Sequence, residues 1–136
     1  MKKILFFLML FNFTFSQSNN ENAFIGKWQV IPNSNTNYIK NKEIKEINQA
    51  FDNGIIEFEL NNSFKITLKS KSEFALMLME MTKKNKWRYN RKKNQIMVGT
   101  DKDNYTTIGF EFFTKNNEYF FKLLESEIIL KVQKIK

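Results

Sequence analysis

From Phe24 onward, apolar residues recur at every second position in short segments parted by polar turn residues. Period two sends one side of each segment into a core and the other into water, the signature of antiparallel strands. The clearest case is Ile56, Phe58 and Leu60 alternating with Glu57 and Glu59, then Asn61-Asn62-Ser63, then Phe64, Ile66 and Leu68 alternating with Lys65, Thr67 and Lys69. This predicts a hairpin with both apolar sets inward. Trp87 and Tyr89, a turn near 90–94, and Ile96 with Val98 repeat the device, and another turn falls at 101–104. Three longer strands follow: Tyr105 to Phe113 with Ile108, Phe110 and Phe112 on one face, Glu118 to Leu124 with Tyr119, Phe121 and Leu123, and a last one carrying Ile128, Leu130 and Val132. With Phe24 to Ile31 as the first, the pattern gives eight strands.

Two segments break the alternation. Tyr38 to Asp52 has Ile44, Ile47 and Phe51 at helical spacing among Lys and Glu, and Asn53-Gly54 supplies a stop. Between residues 72 and 82, Ser72 offers an N-cap and Glu73 an acidic first turn, and Ala, Leu and Met are helix formers, so a helix is favoured over a strand. That segment is apolar nearly all round, as a buried helix would be.

The chain begins differently. Lys2 and Lys3 precede an almost wholly apolar run from Ile4 to Phe15, and Thr14 and Ser16 stand at small-residue spacing before Gln17. Residues 1–16 therefore read as a cleavable secretory signal peptide, being short of the roughly 20 apolar residues that span a bilayer. Residues 17–22 read as a flexible lead-in and 23–136 as a single domain. The chain has no Cys, so lipidation at a new N-terminal cysteine is excluded, and the expected location is periplasmic or secreted, with no transmembrane segment after cleavage.

Absence of Cys and His also excludes Cys and Ser-His nucleophilic triads and zinc sites built on those ligands. The 22 Lys and Arg against 14 Asp and Glu give a formal charge of +8, which favours anionic over cationic partners. Part of that excess follows codon composition, because Lys, Asn, Ile and Phe are all AT-rich types.

Phe24-Ile25-Gly26-Lys27-Trp28 resembles the Gly-x-Trp opening of lipocalins and their bacterial relatives. Trp87-x-Tyr89, a polar turn and Gln95-Ile96-Met97-Val98 resemble the mid-domain hairpin of small bacterial lipocalin-like (calycin) domains, and the Phe-rich leader resembles those of secreted Bacteroidetes proteins. The resemblance covers Phe24 to the C-terminus. It implies a mainly β fold, an eight-stranded antiparallel up-and-down lipocalin-like barrel with one or two short helices, in which Gly26 and Trp28 plug the closed end. It also implies binding of a small apolar molecule. Lipocalins usually pack a late Arg on that Trp; here no Arg follows Arg91, leaving Lys131 or Lys134 as substitutes.

An eight-stranded barrel is just wide enough to be filled by side chains or to hold one small ligand. The expected lining is Phe58, Phe64, Phe110, Phe112 and Phe121 with Trp87 and Tyr89, under an adaptable cover of Phe74, Met77 and Met81. Such bulk favours a small cavity or a groove at one mouth. The strongest charge feature is the run from Lys83 to Lys93, in which Lys83, Lys84, Arg91, Lys92 and Lys93 are candidates for an anionic contact. Nucleic acid fits it least, because strand parity turns Trp87 and Tyr89 inward and Lys86 and Arg88 outward, separating rings from charges. Asp101 to Asn104 lacks the Gly and distal Glu of an EF-hand loop and reads as a turn, and Glu57 and Glu59 project into water. No catalytic constellation, cofactor or metal is implied, so the chain reads as a binding protein and not as an enzyme. Two functions stay open: a secreted or periplasmic carrier or sensor of a small hydrophobic or amphipathic ligand, and a solid-core interaction module meeting an anionic envelope component or protein through its basic hairpin. Oligomeric state is not legible.

Overall fold

Strand pairing follows chain order all the way round. In the computed structural model, which describes residues 23–32 and 39–136, the elements are β1 (Gly26–Val30), α1 (Lys42–Ala50), β2 (Ile55–Phe58), β3 (Phe64–Thr67), α2 (Glu73–Met81), β4 (Lys86–Asn90), β5 (Gln95–Gly99), β6 (Ile108–Lys115), β7 (Glu118–Leu123) and β8 (Ile129–Ile135). The expected leader and lead-in lie outside the described residues. Hydrogen-bonded neighbours run β3-β2-β1-β8-β7-β6-β5-β4, all antiparallel. The two ends of that order meet at one bridge, Ser63 with Lys86. The Phe64 N–H donates to the Asn85 carbonyl (3.2 Å) and the Trp87 N–H to that of Asn62 (2.9 Å). The result is a nearly closed, mainly β, up-and-down lipocalin-like barrel with two short helices, its strands and helices those the pattern predicted and its closure that implied by the resemblance.

Register sets the inward faces. Phe58 lies opposite Phe64, Ile56 opposite Ile66, Trp87 opposite Val98, and Phe112 opposite Phe121. Most of the expected inward set is buried, with Tyr89 and Ile108 half-buried and two residues, Tyr119 (41%) and Leu60, exposed. Leu60 stands 80% exposed, because β2 ends at Phe58 and the chain turns immediately, with the Asn62 N–H bonded to the Glu59 carbonyl (2.9 Å). Tyr105 likewise belongs to a loop and not to β6, its φ being 58°.

Six asparagines, Asn53, Asn62, Asn94, Asn104, Asn116 and Asn117, take left-handed backbone conformations, all at turns. Asn tolerates this region better than other non-Gly residues, so a chain with four glycines makes its turns with Asn.

Helix α1 starts later than the spacing suggested. The Asn41 side chain caps it, accepting from the N–H groups of Glu43 (2.8 Å) and Ile44 (3.2 Å), and residues 33–38 lie outside the description. Helix α2 is capped as expected by Ser72, whose Oγ accepts from the Ala75 N–H (3.2 Å). Its inner residues are Ala75 and Leu78, with Phe74 half-buried against Phe51.

Candidate functional site

Inside the barrel the aromatic rings touch one another. Phe58 has its ring centre 5.3–5.8 Å from those of Phe24, Phe64, Phe110 and Phe121, and Phe121 continues to Phe112 at 5.2 Å and Trp28 at 5.8 Å. Phe58, Phe110 and Phe121 have no accessible surface. A void wide enough for a water would leave accessible surface on the rings around it, so the barrel is solid at this level. Phe24, which the sequence reading did not place in the lining, folds in at the start of β1 and meets Trp87 at 5.2 Å and Tyr89 at 5.1 Å.

Trp28 is buried, and its Nε1–H donates to the Phe24 carbonyl (2.8 Å), fixing Phe24 over the core. Of the two lysines, Lys134 is the one over this ring, its Nζ lying 5.8 Å from the Trp28 ring centre, while Lys131 pairs with Glu118. Gly26 makes room for this arrangement: its φ is 134°, and a Cβ there would come within 2.8 Å of Lys134 Cε. Gly26→Ala is expected to cost about 1–3 kcal/mol, mostly through backbone strain, measurable as a lowered urea midpoint. The lysine tail can move aside, so a change confined to Lys134→Ala should be smaller, about 0.5–1 kcal/mol.

Among the described residues one opening lies at the β3–β4 junction, and a second, of about 440 Å³, lies over Met97, Gly109 and Leu124. Beyond the Ser63–Lys86 bridge the two strands diverge, and α2 runs beside the free edge of β3. The Phe64 N–H points across this junction to Asn85, and the Leu68 N–H points the same way, to Met79 Sδ (3.3 Å). Strand alternation therefore turns the main-chain N–H and C=O of Ile66 toward the same side. Between β3 and α2 lies a cavity of about 310 Å³ lined by Phe64, Ile66, Met79 and Thr82, with Glu59, Ser63, Lys65 and Lys83 around it. Asn85 is buried next to Thr82 and Phe64, and its Nδ2 has no acceptor among the described residues. Trp87 borders the junction, its Nε1–H donating to the Glu59 carbonyl (2.8 Å) and its own carbonyl accepting from Asn62 Nδ2 (3.1 Å).

Of the residues expected to line a site, Phe64 alone faces this cavity. Phe58, Phe110, Phe112, Phe121 and Trp87 are buried in the ring cluster, Tyr89 packs against it, and Met77 and Met81 look outward from α2. Met79 is the thioether over the cavity. The basic run divides: Lys83 and Lys84 follow α2, whereas Arg91, Lys92 and Lys93 form the turn beyond β4, about 16 Å away at the usual strand rise. Lys86 and Arg88 are exposed as parity required, with the Arg88 guanidinium carbon 4.5 Å from the Tyr105 ring centre.

The 101–107 loop is organised by one carboxylate. Asp103 accepts from the N–H groups of Thr100 (2.9 Å) and Thr106 (3.3 Å) and from the Thr107 hydroxyl (2.8 Å), and a Cβ on Gly99 would come within 2.5 Å of it. These donors, the Thr100 N–H foremost, hold its pKa below the ordinary carboxylate value. A depressed value stabilises the fold above the unfolded-state titration range, and the contribution disappears as pH falls through the folded-state value. Asp103→Asn should therefore be less stable than the native chain at pH 7, with the gap between their urea midpoints closing below about pH 4. A gap independent of pH would refute this role.

Comparison of the chain with family models, with curated proteins and with solved structures yields no match.

Proposed function

We propose that the protein is a non-catalytic, lipocalin-like binding protein of the Bacteroidetes type, exported by its leader, that carries or senses a small hydrophobic or amphipathic molecule at the β3–β4 junction and not in the barrel centre. The observation carrying this reading is the cavity of about 310 Å³ between α2 and the free edge of β3. Its size lies at the lower end of small-molecule sites. Phe64, Ile66 and Met79 offer apolar contact, the Ile66 main chain offers hydrogen bonds, and Lys65 and Lys83 suit a ligand with an anionic end.

A ligand of about 20 heavy atoms at about 0.3 kcal/mol per atom gains about 6 kcal/mol, a dissociation constant of tens of micromolar. Titration with a lipophilic naphthylamine dye, and displacement by decanoate, should show saturable binding in that range. Met79→Trp fills the cavity and should weaken binding at least tenfold, about 1.4 kcal/mol. Absence of a saturable signal, or one indifferent to Met79→Trp, rules the reading out.

A second reading, a solid-core interaction module that contacts an anionic envelope component, is favoured by the surface-free rings of Phe58, Phe110 and Phe121 and by the exposed cations after α2.

A further inference from the structure

Hydrophobic exposure on this barrel is concentrated in one place. Among the described residues the exposed large apolar side chains are Leu60 (80%), Leu76 (55%), Met77 (52%), Met81 (52%) and Tyr119 (41%), and the first four belong to α2 or to the turn between β2 and β3. These two segments adjoin, since Glu59 and Ser63 of the turn and Thr82 and Lys83 after α2 line the same cavity. Met77 and Met81 stand one helical turn apart, and Leu76 lies on the other side of the exposed Glu73 and Glu80, so the outer side of α2 carries an apolar strip crossed by two carboxylates. Ala75 and Leu78 already anchor the helix to the core, which leaves this strip without a packing role inside the fold.

Charge selects the occupant. Lys65, Lys69, Lys71, Lys83, Lys84 and Lys86 are exposed before, after and beside α2, while the carboxylates of these segments are Glu59, Glu73 and Glu80. The centre of a protein–protein interface is typically rich in Tyr, Trp, Phe, Met and Arg and poor in Lys, and of these only Met is present in the strip. Here the exposed apolar residues are flexible aliphatic and thioether chains, and the surrounding cations are all lysines. A lysine stem tolerates apolar surroundings while its ammonium group reaches outward, which suits lysines flanking an apolar strip to the boundary of acyl chains and anionic headgroups.

We propose that the α2 end of the barrel docks on the surface of an anionic phospholipid bilayer, with Leu60, Leu76, Met77 and Met81 entering the headgroup region and the lysines meeting lipid phosphates. This deepens the anionic-contact reading and needs no ligand in the cavity, although it would place the mouth of that cavity against a source of amphipathic molecules.

Flotation of the protein with vesicles of phosphatidylcholine and phosphatidylglycerol (3:1), against vesicles of phosphatidylcholine alone, tests it, with the state of the leader checked by mass in every sample. Binding should require the anionic lipid and fall in high salt. Leu76→Gln/Met77→Gln/Met81→Gln removes the apolar strip without changing charge and should lower the partition coefficient at least tenfold. Lys83→Gln/Lys84→Gln should lower it about tenfold at low salt, and Tyr119→Gln, away from the strip, should leave it unchanged. Both sets replace exposed side chains, and unaltered thermal melts would show that folding is intact. Equal binding to both vesicle types, no binding, or binding indifferent to these variants overturns the proposal. So does a concentration-dependent dimer abolished by the apolar triple variant, which would make a second copy the occupant. Dye titration at the cavity is read separately, so either idea can fail alone.

Discussion

Phe58→Ala should lower the free energy of unfolding by about 3–5 kcal/mol, the range for removing a large buried ring when its surroundings cannot collapse. Collapse is hindered because Phe58 is shared by the rings of Phe24, Phe64, Phe110, Phe121 and Trp87, each held on a separate strand or segment. Domains of this size have about 5–15 kcal/mol to lose, so the urea midpoint should fall steeply with little change in slope. A second signature accompanies the loss. The void left at the centre of an apolar cluster stays dry and accepts small apolar molecules, so benzene should raise the melting temperature of Phe58→Ala and not of the native chain. A loss below about 1 kcal/mol would mean that the barrel centre is not organised around this ring.

The next largest effect is expected at Trp87, and two variants divide it. Trp87→Ala removes both the packing against Phe24 and Phe58 and the indole bond to the Glu59 carbonyl, and should cost about 3–5 kcal/mol. Trp87→Phe retains a ring but leaves that part-buried carbonyl without its donor, at about 1–3 kcal/mol. The smaller change should be local. Closure between β3 and β4 rests on the Ser63–Lys86 bridge and a few bonds around Asn62 and Asn85, so amide exchange at Phe64 and Trp87 should speed up in Trp87→Phe while that at Phe110 and Phe121 does not. Uniform acceleration across the barrel would show that the junction does not open separately.

Much of the fold was legible because alternation is a direct record of which side of a strand meets the core. It gave all eight strands and the inward positions of Phe64, Phe110, Phe121 and Trp87. What alternation lacks is a mark for where pairing ends: Leu60 keeps the period of Ile56 and Phe58, yet it falls in the turn and faces water. The candidate site was less legible, for three physical reasons. Phe24, read as opening the first strand and sharing the parity of Trp28 and Val30, in fact lies two residues ahead of β1, and the sequence reading did not carry it into the lining. Helix α2 is apolar on nearly every side, with Glu73 and Glu80 alone marking its outer face, so its composition did not say that Met79 would lie over β3 and Met77 outside. The cavity also depends on which adjacent strands fail to pair along their length, a property of barrel closure that no local pattern encodes. By contrast, the lack of an Arg after Arg91 was visible, although the sequence left Lys131 and Lys134 both open as substitutes and only the structure puts Lys134 beside the Trp28 ring. The abundance of Asn, read first as codon composition, also proved to be turn chemistry.

The single bridge between β3 and β4 has a consequence for behaviour at high concentration. A closed barrel has no unsatisfied rim, but a barrel that unfastens at one line exposes two ribbons able to recruit a neighbour's backbone. One ribbon is guarded: Lys86 and Arg88 project from β4 and would meet their own kind in any stacked copy. On the other, the middle and end of β3 are screened by α2. Crowding should therefore be harmless to the intact fold, and loss of the helix from its berth, more than loss of any core residue, is the event that would start polymerisation.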